Sequence, residues 1–357
     1  MSGAGPNGLR RLPKRRHLSW TVSLGLLIVL FIFGAIRFPG FVSGQVVLDL
    51  FVDNAYLIVL AVGMTFVVIS GGLDLSVGSV LGLSTVIAAA LLRAHWSPGA
   101  VIIVVLLVGS ALGLLVGLGI HYLSIQPFVA TLISMFFARG LCYVLSPDSI
   151  AISDPFFLGM AQAQLPVGFG LEVSPSVPVA LLVVLAGVLV LHWTMFGRTV
   201  YAVGNGGRAA SLMGVPVART VVLVYVISGF CAALAGILFS FYTLSGYSLT
   251  GVGLELDTIA AVVIGGTVLS GGSGYLWGSI LGVLVLGTVN ALITFDGTLG
   301  TWWSKIIAGA LLLVFVLVQR LVLRRRRADS GGSKPEEPGA RARAWASDVG
   351  RGGLRDG

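Results

Sequence analysis

Between two long apolar runs the chain reads Ile69-Ser-Gly-Gly-Leu-Asp-Leu-Ser-Val-Gly-Ser79, and this break constrains the fold more than any other segment. A carboxylate at bilayer depth costs roughly 2.5–3.5 kcal/mol at the centre of a helix, so one found there marks a helix cap or a pathway. Glycine and serine around it let the backbone turn and let another segment come close. The pattern is that of an interrupted membrane helix, a device of transport proteins.

Composition fixes the class. Hydrophobic residues make up 56% of the 357 and charged ones only 10%, against about 25% charged in a soluble domain. The expected fold is an all-α polytopic membrane domain over 20–323. Flanking it are a basic cytoplasmic tail at 1–19 and a basic, disordered cytoplasmic tail at 324–357. The net charge of +8 does not point to nucleic acid, because the bases cluster at Arg10–Arg16 and Arg324–Arg327, where they flank the first and last spans as membrane anchors. Cys142 and Cys231 both lie in apolar runs, which argues against a disulfide framework or a zinc site. The first apolar run follows basic residues as a signal peptide would, but no small-residue cleavage site follows Phe38. It is read as an uncleaved first helix.

A crossing helix needs about 20 mostly apolar residues. That rule places about ten spans, near 20–38, 53–70, 76–92, 98–120, 126–145, 177–195, 219–243, 256–270, 276–294 and 303–323. The third and eighth are short enough to be half-spans or re-entrant pieces. An even count puts both termini on one side, and the charges make that side the cytoplasm. Segment 146–176 carries Asp148, Asp154 and Glu172 without a single Lys or Arg, whereas 196–218 holds Arg198 and Arg208. Arg37, Arg93 and Lys305 are isolated exceptions on the outer side.

The break also has an echo. Residues 68–86 align without gaps on 268–286, with identities at Val68, Ser70, Gly71, Gly72, Gly78, Ser79, Leu81 and Gly82. Transporters are often built from internal repeats with breaks at matching positions. Chance recurrence of Gly and Ser in a chain with 50 glycines is the other reading. By the span count both copies start on the same side, which does not suit an inverted repeat.

Candidate pathway or helix-break residues are Gly71, Gly72, Asp74, Ser76, Gly78, Gly271 and Gly272. Asp74 either lines a route or caps the helix beginning at Leu75, and the position favours the cap, a role worth about 1 kcal/mol. In the cytoplasmic connection 196–218, residues Ala209, Ala210, Ser211, Leu212 and Met213 predict a short helix. Gly204, Asn205 and the following glycines precede it and Gly214 ends it. Small residues there let another protein approach closely, with Leu212 and Met213 as an apolar knob; an ordinary interfacial turn is the plainer alternative. Arg139, inside the fifth span, must face the bundle interior or snorkel outward. Trp302 and Trp303 read as interfacial anchors. No phosphate-binding Gly-x-x-x-x-Gly-Lys-Ser/Thr loop is present, so ATP hydrolysis is not expected on this chain. The four histidines never pair within a turn, which leaves no acid–base or metal cluster and no implied cofactor.

The run from Asp53-Asn-Ala-Tyr through Ser70-Gly-Gly-Leu-Asp-Leu-Ser-Val-Gly-Ser79 resembles the inner-membrane permeases of ribose-type ABC sugar importers. So do Val203-Gly-Asn…Ala-Ala-Ser-Leu-Met-Gly-Val215 and Gly251-Val-Gly-Leu-Glu…Ser-Gly-Gly272. The resemblance covers about 20–323. It is nearest to galactofuranose-type permeases at Asp53-Asn-Ala, Phe295-Asp-Gly-Thr-Leu and Thr301-Trp-Trp-Ser-Lys305, while Gly206-Gly-Arg208 stands where the family often carries acidic residues. The resemblance implies a cytoplasmic ATPase subunit that docks on 196–218, a second permease of the same or a different chain, and a periplasmic or lipid-tethered sugar-binding protein. Other classes are a stand-alone secondary transporter, a permease for another polar solute such as an amino acid, and a membrane enzyme. The missing catalytic cluster weighs against the last.

Overall fold

The computed structural model describes residues 18–330 other than 169, 299 and 301; the tail expected at 1–17 and the part of the C-terminal tail after 330 lie outside the described residues. The chain divides into two compact units, residues 1–312 and 313–357. In chain order the elements are α1 (Leu18–Arg37), α2 (Gly44–Asp53), α3 (Ala55–Ile69), α4 (Val77–Arg93), α5 (Pro98–Tyr122), α6 (Pro127–Leu145), β1 (Ile150–Ala151) and α7 (Pro155–Gln162). There follow β2 (Leu165–Gly168), β3 (Leu171–Val173), α8 (Ser176–Trp193), α9 (Met195–Leu212), α10 (Val217–Thr243), β4 (Ser245–Gly246), α11 (Leu254–Ile264), α12 (Leu276–Asp296) and α13 (Trp302–Ser330). The protein is all-α and polytopic. Its only described strands form two small antiparallel pairs, β1 with β4 and β2 with β3.

Helix α3 is the central post. Its residues from Leu57 to Ile69 are all buried, and α8, α10, α11 and α12 pack around it. A helix apolar on every face has no solvent side, and α3 finds none. The outer helices keep one apolar face exposed, as with Ile103 and Leu107 on α5, Phe136 and Phe137 on α6, and Leu182 and Leu185 on α8. For helices of this length and composition those faces meet lipid.

Five described helices, α5, α6, α8, α10 and α12, are long and apolar enough to cross a membrane, or six if α2 and α3, bent by 55° at Asn54, count as one broken span. The ten expected spans differ from this in several places. The second, expected at 53–70, is α3 at Ala55–Ile69, and ahead of it stands a further helix, α2, capped by Ser43, whose Oγ accepts from the Val46 N–H. The span expected at 256–270 stops at Ile264. With 11 residues, α11 rises only about 16 Å, half a bilayer core. The tenth, expected at 303–323, lies within α13, which runs on to Ser330.

Close packing between spans rests on missing side chains. Gly109, Gly113 and Gly117 form one stripe of α5 and let its backbone lie against Gly229, Tyr225 and Val222 of α10. A Cβ on Gly113 would fall on the Tyr225 carbonyl oxygen, whereas one on Gly119 would meet only the tip of Ile125, at 3.7 Å. We expect Gly113→Ala to destabilise the protein by about 1–3 kcal/mol, the usual cost of overpacking. Gly119→Ala should be neutral or stabilising, because alanine is the better helix former by up to ~1 kcal/mol. Thermal unfolding of the two variants in detergent checks this.

Candidate functional site

The break begins where α3 ends. Gly71 N–H donates to Val68 O at 3.0 Å and Gly72 N–H to Val67 O at 3.0 Å, and Gly71 has φ +87°. This is a helix stop that needs a left-handed residue, which glycine supplies without strain. The same stop closes α11, where Gly266 (φ +91°) donates to Val263 O and Thr267 to Val262 O. The structural counterpart of Gly71 is therefore Gly266, not Gly271. The ungapped register holds for the following helices, where Gly78 and Gly278 both lie at the start of a helix and leave no room for a Cβ. Five extra residues in the second connection move the helix end out of that register.

Gly71 and Gly271 nevertheless meet. A Cβ on Gly271 would lie 2.8 Å from the Gly71 Cα, and Gly272 N–H donates to Ile69 O at 2.8 Å. Helix α9 closes the cluster. Gly204 lies so near that a Cβ would fall on the Ile69 carbonyl oxygen, with Gly272 N 2.5 Å away. Asn205 Nδ2 donates to Tyr201 O at 2.8 Å and Gly272 O at 3.3 Å, and Tyr201 OH donates to Gly274 O at 2.8 Å. The structure thus gathers Gly71, Gly271, Gly272, Gly204 and Asn205 into one node, where the end of α3, the α11–α12 connection and α9 touch backbone to backbone.

Beside the node Asp74 is buried. Its Oδ1 accepts from Ser76 N–H at 2.9 Å and Ser76 Oγ at 2.6 Å, and its Oδ2 accepts from Ser228 Oγ at 2.6 Å. The bond to the N–H two residues on is an Asx turn. The helix expected from Leu75 starts only at Val77 with Ser76 in the N-cap position, so Asp74 holds the turn ahead of the helix and does not cap it. Ser228 ties the same carboxylate to α10. Tyr225, also on α10, fills the space that a side chain at Gly72 would need and donates to Leu73 O at 3.4 Å. Gly78 lies apart from the node, against Gly251 and Glu255.

The short helix expected at 209–213 is the segment of α9 that follows a non-helical Gly206 and runs to Leu212. Thr194 starts α9 by accepting the Gly197 N–H at 3.2 Å, and the helix breaks at Gly206 (φ 158°, ψ 95°) before resuming. It ends at Gly214 (φ +78°), where Val215 N–H reaches Ala210 O and Gly214 N–H reaches Ser211 O. Ala209, Ser211, Leu212 and Met213 are exposed, the last two at 91% and 73%. Ala210 is 1% exposed. It packs inside this chain and is not the surface residue that the short-helix reading made it.

Sequence reasoning missed Ser228, Tyr225 and Tyr201, whose only signals are polar groups inside apolar helices. It also left Arg139 without a partner: its Nη1 donates to Ser248 O at 2.5 Å and Thr250 O at 2.8 Å, pinning the loop after β4. Lys305 and Asp257 form an ion pair between α13 and α11. Among the described residues no three His, Cys, Asp or Glu side chains converge on a metal position.

A polytopic bundle with broken helices, wired to an exposed helix end, defines a membrane permease. The chain belongs to the family described as the permease component of the branched-chain amino acid transport system, matched over residues 46–316. It is 42% identical to the inner membrane ABC transporter permease protein YjfF of Escherichia coli (strain K12), over 86% of this chain and 93% of that one. The fructose import permease protein FruG of Bifidobacterium longum (strain NCC 2705) is 39% identical over 87% of this chain and 92% of its own length. The ribose import permease protein RbsC of Bacillus subtilis (strain 168) is 37% identical over 83% and 91%. No solved structure matches the chain at a significant level.

The Asp74 network yields a graded expectation. Asp74→Asn keeps an acceptor for Ser76, and Ser228 can turn to accept from the new amide, so the variant should fold and stay within about 1 kcal/mol of wild type. Asp74→Leu strands the Ser76 N–H and two hydroxyls, each costing about 1–3 kcal/mol, and should fail to accumulate. Yield and melting temperature of the purified variants check the pair.

Proposed function

We propose that the chain is the membrane-spanning subunit of an ATP-driven importer that carries a monosaccharide, such as a pentose or galactofuranose, across the bacterial cytoplasmic membrane. A separate cytoplasmic subunit hydrolyses the ATP, a second permease of the same or a different chain completes the path, and a periplasmic or lipid-tethered binding protein delivers the sugar. The ring of sugar-import names among the relatives supports the solute. The family description keeps an amino acid as the alternative.

The observation that carries the reading is the geometry of α9. The segment of α9 before Gly206 is fastened to both helix breaks through Gly204, Asn205 and Tyr201, and the segment after it projects Leu212 and Met213. A push on the exposed end is delivered to the two breaks. Charge bias and span order put 70–76, 196–218 and 270–275 on the cytoplasmic side, and their mutual contact supports that arrangement. Ten apolar segments then enter the bilayer: α1, the bent α2–α3, α4, α5, α6, α8, α10, α11 reaching part way, α12 and α13.

The direct test is to purify the chain from its native membrane with whatever it holds and reconstitute it. ATP-dependent uptake of a monosaccharide is expected; uptake by the chain alone on an ion gradient would overturn the proposal. Leu212→Glu together with Met213→Glu places charge on the exposed knob and should leave permease levels normal while abolishing ATPase co-purification, since buried unpaired charge at an interface costs several kcal/mol. Ala210 is unsuited to that test because it is buried in this chain.

Orientation is checked separately. Cys142 and Cys231 are buried, so single cysteines at exposed Ser153 and Arg208 can be read with an impermeant thiol reagent on intact cells. Labelling at 153 and not at 208 is expected.

A further inference from the structure

Helices α3 and α10 run from the node to a cavity at their other ends. Tyr56 and Ile69 are 13 residues apart on α3, which separates the two by about 20 Å. The cavity measures about 290 Å³ and is bounded by α2, the start of α3, α7 and the segment after it, β3 and the end of α10. Its volume lies at the small end of the ~300–1,000 Å³ range of small-molecule sites.

The wall chemistry is specific. Asp49 and Glu172 bring two carboxylates, Gln45 and Gln164 two amides, and Tyr56 and Tyr242 two phenol rings; no lysine or arginine is among the described lining residues. Carboxylates and amides accept hydroxyl hydrogens, amides also donate, and ring faces pack on the apolar C–H face of a sugar ring. An anionic solute would face two like charges with no counter-charge. The parts are also held in place. Gln45 Nε2 donates to Asp49 Oδ1 at 2.8 Å and to the Glu172 carbonyl at 3.2 Å, and the Glu172 N–H donates back to Gln45 Oε1 at 3.4 Å, locking α2 to β3. Tyr242 OH reaches Asp53 Oδ1 at 3.5 Å. Tyr56 separates this space from a smaller one of about 60 Å³, lined by Asn54, Asp257, Asn290 and Lys305 under the α2–α3 bend.

We propose that the larger cavity is a binding site, within this one chain, for a neutral monosaccharide on its way through the transporter. The proposal rests on the function argued above and names where the solute is selected. Its wall accepts one sugar ring and rejects anions.

The test uses the complete transporter in proteoliposomes, with labelled D-ribose, D-fructose and D-galactose as probes and co-purification of all subunits as the control for assembly. The shape-conserving double variant Asp49→Asn/Glu172→Gln should raise the half-saturating sugar concentration about tenfold or more, the loss expected when hydrogen bonds to charged acceptors go. Ala161→Trp, which fills the cavity from α7, should abolish uptake in an assembled complex. Tyr242→Ala, which removes a ring face from the wall, should lower uptake in an assembled complex. Sugar uptake by the wild type with the double variant and Ala161→Trp both within about twofold of it would overturn the site alone. Wild-type uptake of an amino acid and of none of the sugars would overturn the site and the functional reading together.

Discussion

The hydrogen bond from Gly272 N–H to Ile69 O is the contact on which the rest of this structure depends. It joins main chain to main chain across two hundred residues, at a place where the last carbonyls of α3 have no partner within their own helix. In an apolar surrounding an unpaired carbonyl costs more than an ordinary hydrogen bond gains, so the bond works mainly by what its absence would cost. Such an approach leaves no room for a Cβ at Gly204 or Gly272. The glycines of the node therefore answer to distance as much as to conformational freedom. Once they are in place, α9 has only one way to lie across both breaks.

Much of this was legible in the sequence, because strong physical penalties write clear patterns. A buried carboxylate among glycines in an apolar run announces a broken helix, and the long apolar runs announce an all-α membrane fold. What escaped depends on three-dimensional company. The glycines before Ala209 do interrupt the backbone, at Gly206, but the helix ahead of them, started by Thr194, was not legible because its sequence carries no long apolar run. Ala210 looked like a surface residue because alanine carries no signal of which side it faces. The length of the eighth span was overread for a related reason: Gly265, Gly266 and Thr267 are apolar enough to extend a hydropathy window, but the left-handed Gly266 stops the helix. Serines at helix ends and inside apolar helices were the quietest signals, although Ser76 and Ser228 hold the most buried carboxylate of the break.

Helices α3 and α10 give the two ends of the molecule a common frame. Each is packed for most of its length against other apolar helices, and close-packed interiors deform little. A rotation imposed near Ile69 and Tyr225 reaches Tyr56 and Tyr242 with little loss. The bend at Asn54, whose Nδ2 donates to Leu50 O, is the point where α2 can yield while α3 does not. Rigid posts with a soft joint at one end suit a protein that must change shape on one face in response to events on the other.

The unequal length of the two breaks carries a further consequence. Gly71 and Gly78 lie seven positions apart, whereas their counterparts Gly266 and Gly278 lie twelve apart. If the halves descend from one duplicated unit, the surplus falls within 268–277, the stretch that supplies Gly271, Gly272 and Gly274 to the node. The chain is thus least symmetric at the spot where it is wired to α9. The longer second break thereby presents Gly272 O and Gly274 O, the carbonyls that hold Asn205 and Tyr201 of α9.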